Sequence, residues 1–424
     1  MARARAANRT RSTFRALQYR EFRLYLFGLV ASFVGTYMQQ VAEGWLVYRI
    51  TNSAFALGLV GFVILVPLAP LTLLAGVVAD RFPRRGVLLL SQIGQIIPPF
   101  VLAALTWSHQ VQLWHVIVVD LTMSAFASID QPVRQALLAE TVGPGELDNA
   151  IAISTTGFNV ARVIGPAVAG VIVAVWGEAV CFALNGVSFL LIAAALLAMH
   201  LPQRLSVARE VSFKTNITDG ARYLGRAPVL LAAIASIVII NLFIVPYQTL
   251  LPIFARDILG SGAPGLGFLV MAAGIGAILG SLAIAHSSSG GQSRALIWLG
   301  LAAPVALVGF TFSRNMLLAC LALILVSGAV VALKVVAYTL VQTRVQDDLR
   351  GRVMSVLTLS DAGMPRLGGL FAGLLASLWG APLALQLGAV GCLLGTLALN
   401  QWIPSLRRAP AAEPAASSLD SFPG

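Results

Sequence analysis

Residues Gly76–Leu88 read GVVADRFPRRGVL and lie between two long apolar segments. Asp80, Arg81, Arg84 and Arg85 take four of six consecutive positions in a chain that is only 11% charged. Pro83 stops a helix there, and Gly76 allows close backbone approach. Such a cluster cannot lie in hydrocarbon, so the stretch is a loop at a membrane surface. Its three arginines put that surface on the cytoplasmic side.

The surrounding composition fits. Hydrophobic residues make up 58% of the 424, and the mean hydropathy is +0.87. Apolar runs of about 20 residues recur, the length a helix needs to cross a bilayer. The fold class is therefore an all-α membrane protein. The net charge of +11 does not imply nucleic acid, because the 26 Arg and 2 Lys are scattered over alternate loops. Cys181, Cys320 and Cys392 sit in apolar segments without metal or CxxC spacing, so neither a metal nor a disulfide is expected. The Arg-rich start leads straight into a full-length span, which is not the pattern of a cleaved signal peptide.

Twelve transmembrane helices are predicted, at 22–48, 54–79, 87–107, 113–132, 149–175, 179–200, 229–255, 265–286, 294–312, 316–342, 352–378 and 382–403. The domain reading is a basic cytoplasmic tail (1–21), a six-helix bundle (22–200), a cytoplasmic linker (201–228), a second six-helix bundle (229–403) and a disordered tail (404–424). The linker suits either an amphipathic surface helix or a plain connection. The tails and the loops after spans 2, 4, 6, 8 and 10 hold 21 of the 28 Lys and Arg. Three, Arg49, Arg256 and Arg314, fall on the opposite face, and Arg23, Arg162, Lys334 and Arg366 fall within spans. This bias places both termini in the cytoplasm.

The two halves repeat. A shift of 203 residues superposes Gly165 on Gly368, Ala169 on Ala372, Gly170 on Gly373 and Trp176-Gly177 on Trp379-Gly380. A duplicated six-span unit is a transporter architecture, because two such halves can rock about a site at the midplane.

Gly76, Ala79, Asp80, Arg81, Arg84, Arg85 and Leu88 together resemble the loop signature between helices 2 and 3 of the major facilitator superfamily, with Val78 and Pro83 departing from it. The resemblance implies that Gly76, Asp80, Arg81, Arg84 and Arg85 form a conformational latch, with Asp80 acting on the other half near Arg350–Arg352. Gly165, Pro166 and Gly170 look like the superfamily's helix-kink motif of antiporting exporters, although Ala152, Ala161 and Ala169 replace glycines of the fuller pattern. The runs Gly44–Tyr48, Asp130–Ala136, Leu251–Asp257 and Leu349–Ser355 are similar to the bacterial subfamily that contains enterobactin exporters, the transmembrane secretion effectors. This likeness covers about 20–405 and implies a proton-driven efflux carrier in the bacterial inner membrane.

Ionisable residues inside spans are functional candidates. Glu43, Asp120 and Asp130 are the proton-coupling candidates. Glu43 shares a helix face with Gln39, and reads equally as an interfacial residue near Arg49. Asp130 has Arg134 one turn on, which suits a structural cap. Arg162 lies mid-span and needs a partner, which Asp120 or Asp130 could supply. Lys334 and Asp361 lie at similar depth on adjacent spans, so a pair between them is expected. Gln39, Gln40, Arg162, Asn241, Tyr247, Gln248, Lys334, Tyr338, Asp361 and Arg366 are candidates for contact with substrate. That spans 1, 4, 7 and 10 line the cavity is what the superfamily resemblance implies.

The function expected is secondary-active export of a small organic molecule, a drug, siderophore or other secondary metabolite, by proton antiport and alternating access. An uptake permease of the same fold is the alternative. No phosphate-binding GxxxxGK[ST] run and no Ser/His/Asp or metal set is present, so neither an enzyme nor a cofactor is expected. The expected partners are the substrate, protons and lipid. The protein is expected to be a monomer.

Overall fold

The structure is a computed structural model that describes residues 15–67, 71, 83–143, 145–200, 227–285, 292–345 and 347–402. Gly76, Asp80 and Arg81, most of the linker and most of the two tails lie outside these residues. So does the expected contact of Asp80 with Arg350–Arg352.

A 3-10 turn at Arg15–Gln18 leads into twelve helices. In the first half these are α1 (Arg20–Thr51), α2 (Ala54–Val63, running on to Pro67), α3 (Arg84–Trp107), α4 (Leu113–Leu138), α5 (Leu147–Trp176) and α6 (Glu178–Ala198). In the second half α7 spans Pro228–Ile258. It comprises helices Pro228–Phe243 and Tyr247–Ile253 around a turn at 244–246, and a π-helical turn Phe254–Ile258. Then follow α8 (Gly262–Ala285), α9 (Gln292–Phe312), α10 (Met316–Arg344), α11 (Asp347–Trp379) and α12 (Ala381–Trp402). The described residues contain no strand. With an even number of crossings, α1 begins and α12 ends on one face, here the terminal face; the other is the far face.

Several helices overrun the predicted spans. α4 continues six residues past 132, and α11 starts five residues before 352. Hydropathy marks only the stretch that suits hydrocarbon, whereas helical hydrogen bonding continues into the polar surface layer. Nine described helices are long and apolar enough to cross a membrane by themselves. α1 and α11 are not among them, and they carry Gln39, Gln40, Glu43, Asp361 and Arg366. The outer surface is apolar: Phe27, Leu325, Phe371 and Leu394 are exposed, and Trp107, Trp114, Trp176 and Trp379 are exposed at far-face helix ends, where indole suits the interface.

The internal repeat has a structural counterpart. Gly177 (φ 83°) and Gly380 (φ 85°) make the same left-handed turn after α5 and α11, which side chains with a Cβ rarely adopt. A methyl at Gly165 would stand 2.8 Å from Tyr37 Cβ on α1, and one at Gly368 would stand 2.3 Å from the Leu242 carbonyl on α7. Each helix thus packs on the first helix of its own half. A methyl at Gly170 would stand 2.9 Å from Gly267 Cα on α8, and one at Gly373 would stand 2.6 Å from the Ala54 carbonyl on α2. The halves therefore meet along α5 against α8 and α2 against α11, with small residues letting backbones touch.

Candidate transport site

Three polar clusters lie within the bundle. The first joins α1, α4 and α6. Glu43 and Asp120 lie within hydrogen-bond reach of each other, and Glu43 also reaches Gln39. Gln39 accepts from Asn185 Nδ2 at 2.7 Å and donates to Met123 Sδ at 3.3 Å. Ser188 Oγ donates to the Asn185 backbone carbonyl at 2.7 Å and lies 3.1 Å from Asn185 Oδ1. This approach needs Gly35, where a methyl would stand 2.4 Å from Ser188 Oγ. Asp120 is buried, its Oδ2 has no hydrogen-bond partner among protein donors, and neither carboxyl forms an ion pair among the described residues. Two carboxyl groups within hydrogen-bond reach, neither in an ion pair among the described residues, repel each other when both are ionised.

The second cluster joins α7, α10 and α11. Lys334 Nζ lies 2.7 Å from Asp361 Oδ1, which also accepts from Asn241 Nδ2 at 2.9 Å. Tyr338 donates to Asp361 Oδ2 at 3.4 Å. Asp361 is thus neutralised inside the second half.

The third cluster lies nearer the terminal face. Arg134 pairs with Asp130 one helical turn away, and Gln92 Nε2 on α3 donates to the same carboxylate at 2.8 Å. The Arg134 guanidinium stands over the Phe33 ring, 5.2 Å from its centroid. Asp130 is occupied as the cap reading expects. Arg84 donates to Glu140 at 2.7 Å, and Arg85 donates to the Leu196 and Leu197 carbonyls at 2.6 and 2.8 Å. Both arginines tie α3 to helix ends of their own half; neither crosses to the other.

The expected pairing of Arg162 with Asp120 or Asp130 is not found. Asp120 faces Glu43 and Asp130 faces Arg134. No hydrogen bond or ion pair among the described residues reaches the Arg162 guanidinium, which acts electrostatically on Tyr37 of α1 and Tyr247 of α7. Pro166 lacks the N–H that would bond the Arg162 carbonyl, and a methyl at Gly274 of α8 would stand 3.2 Å from that oxygen. Arg366 turns its guanidinium back onto the Ala362 carbonyl of its own helix. Gln39 points into the first half rather than the space between halves, whereas Gln40 and Gln248 are exposed and Tyr247 is buried.

The four subfamily-like runs are scattered in sequence, but two of them meet at the far face. Gly44 packs against Pro252, and the Tyr48 hydroxyl donates to Asp257. Arg256 lies over the Tyr48 ring, 5.1 Å from its centroid, and 3.6 Å from Asp257. Sequence reasoning missed Asn185, Ser188, Gln92 and Asp257 as partners. An Asn and a Ser three residues apart in an otherwise apolar helix is a signal that was available.

Among the described residues no group of His, Cys, Asp and Glu suits a metal ion.

Comparison with known proteins gives a consistent result. The family described as transmembrane secretion effector matches residues 11–422. The staphyloferrin A transporter of Staphylococcus aureus is 25% identical over 367 residues, covering 82% of this chain and 87% of that protein. The multidrug efflux pump Tap of Mycolicibacterium fortuitum is 29% identical over 408 residues, covering 91% and 96%. The enterobactin exporter EntS of Shigella boydii is 26% identical over 421 residues, covering 97% of each. Among solved structures, a bacterial homologue of the human lysosomal transporter Spinster superposes with a TM-score of 0.73 at 14% identity, covering 92% of this chain and 99% of that one. The nucleoside transporter NupG does so with the same score, identity and coverage.

Proposed function

This chain belongs to the transmembrane secretion effector family, and on that premise we propose that it exports a small organic molecule in exchange for protons by alternating access. It is a multi-pass membrane transporter of the major facilitator fold and not an enzyme. Its relatives include siderophore and drug exporters, which supports outward transport.

One observation carries the coupling. Glu43 and Asp120 lie within hydrogen-bond reach of each other between α1 and α4, and neither forms an ion pair among the described residues. A carboxyl pair of this kind holds a proton in one state of the carrier and releases it when the helices part. Asp361 is unsuited to that role while Lys334 holds it, and Asp130 while Arg134 does. The terminal face is assigned to the cytoplasm by the excess of Arg and Lys on it. The contact of Tyr48 with Asp257 then lies at the external end and joins the two halves there.

Everted membrane vesicles test this reading. A preset acid-inside gradient should dissipate when a transported drug is added, and should not in vesicles carrying Glu43→Gln or Asp120→Asn. Substrate accumulation by intact cells, with no dissipation in everted vesicles, would establish uptake instead. Efflux that stays proton-coupled in both variants would remove the pair from the mechanism.

A further inference from the structure

Arg162 is the cation whose surroundings the transport cycle leaves unexplained. Each of the other cations deep in the helix bundle has a partner of its own. Arg134 has Asp130, Lys334 has Asp361, and Arg366 has the Ala362 carbonyl. Nearer the surfaces, Arg49 has Glu178 at 2.7 Å and Arg84 has Glu140. For Arg162 the described residues supply no carboxylate and no carbonyl. An unpaired guanidinium at mid-membrane depth is costly, and intramembrane cations are retained where they meet an ion or a substrate.

Helix geometry gives its direction. Gly165 packs on α1 and Gly170 packs on α8. At about 100° per residue, Arg162 lies roughly 60° from the first and 80° from the second, in the sector between them. That sector is the space between a helix of the first half and a helix of the second. Tyr37 and Tyr247, the side chains on which the guanidinium acts, come from the two halves as well. All three lie about 22–28 Å along their helices from the terminal ends, so they share one depth.

We infer that Arg162 is the anion-binding residue of the substrate site, and that the transported molecule carries a carboxylate or an equivalent planar oxyanion, held in the sector between α1 and α8. The inference rests on the transporter reading above and names its substrate class. A guanidinium presents two parallel N–H donors to a carboxylate, which a Lys ammonium does not. The Glu43–Asp120 pair does not compete for it, since those carboxyls contact each other on the α4 side of α1.

The test uses the full-length protein purified in detergent. Thermal stability is measured with citrate, phthalate, 5-carboxyfluorescein, tetraphenylphosphonium and rhodamine 6G, on wild type, Arg162→Lys and Arg162→Gln. At least one carboxylate should stabilise the wild type, with an apparent Kd at least tenfold weaker in R162Q and intermediate in R162K. Without ligand, R162Q should melt no lower than wild type, because no native ion pair is lost. Stabilisation by the cations alone, by none of the five, or equally in wild type and R162Q would overturn the inference. A ligand-free R162Q that melts well below wild type would also overturn it, by showing a structural role. Carboxylate binding that depends on Arg162, together with no movement of that carboxylate in vesicles, would keep the anion site and remove the export reading.

Discussion

The hydroxyl of Tyr48, near the far end of α1, donates to the carboxylate of Asp257 in the last turn of α7. This is a bond between the two halves, and Arg256 covers it from above the Tyr48 ring. The π-helical turn at Phe254–Ile258 carries both charged residues. Small residues pack at other contacts between the halves, and Asp257 is exposed, so water can take the place of Tyr48 at its carboxylate when the bond breaks.

Tyr48→Phe should therefore shift the equilibrium away from the state closed at the far face. A hydrogen bond to a charged group contributes about 1.5 kcal/mol or more, roughly a tenfold change in population. Spin labels at Thr51 and Leu259 in a background without Cys181, Cys320 and Cys392 would report it. A longer-distance component should grow in Y48F, and an unchanged distance distribution would rule out a gating role.

Single amide substitutions at Glu43 and Asp120 remove the need for a shared proton. Either should abolish proton release on substrate binding in purified protein, while substrate affinity falls less than threefold. The measurement is proton release in weakly buffered detergent solution, alongside binding. Affinity lost in step with proton release would mean that the pair binds substrate directly.

The Lys334–Asp361 pair predicts a different pattern. Lys334→Met leaves a carboxylate whose hydrogen-bond partners among the described residues are Asn241 and Tyr338, and should destabilise by about 2–4 kcal/mol. Adding Asp361→Asn should recover most of that loss. Melting temperatures of the two single variants and the double variant form the cycle, and additive losses would argue against coupling.

Gly170→Leu and Gly373→Leu place bulk where α5 meets α8 and α11 meets α2. Overpacking at such contacts costs about 1–3 kcal/mol. Transport should fall at least tenfold in each, with membrane expression retained. Gly61→Ala and Gly309→Ala, where an added methyl meets nothing within 4 Å, should transport as wild type does. Equal loss in all four would show general fragility rather than a sliding interface.

The sequence by itself determined the architecture. Apolar runs of bilayer length read as spanning helices. The charged Gly76–Leu88 stretch marks the break before α3, although the helix already begins at Arg84, so Arg84 and Arg85 lie in its first turn rather than in a loop. The 203-residue repeat foretold the duplicated turns at Gly177 and Gly380 and the matched contacts of Gly170 and Gly373. Asp130 with Arg134 was legible too, since residues four apart on a helix share a face. The site was less so. The sequence set Glu43 beside Gln39 or Arg49 and offered Asp120 to Arg162, because periodicity reports the face of one helix and not its rotation or height against another. Only tertiary packing set α1 against α4 so that two carboxyls 77 positions apart meet, and turned Arg162 away from both aspartates expected to hold it.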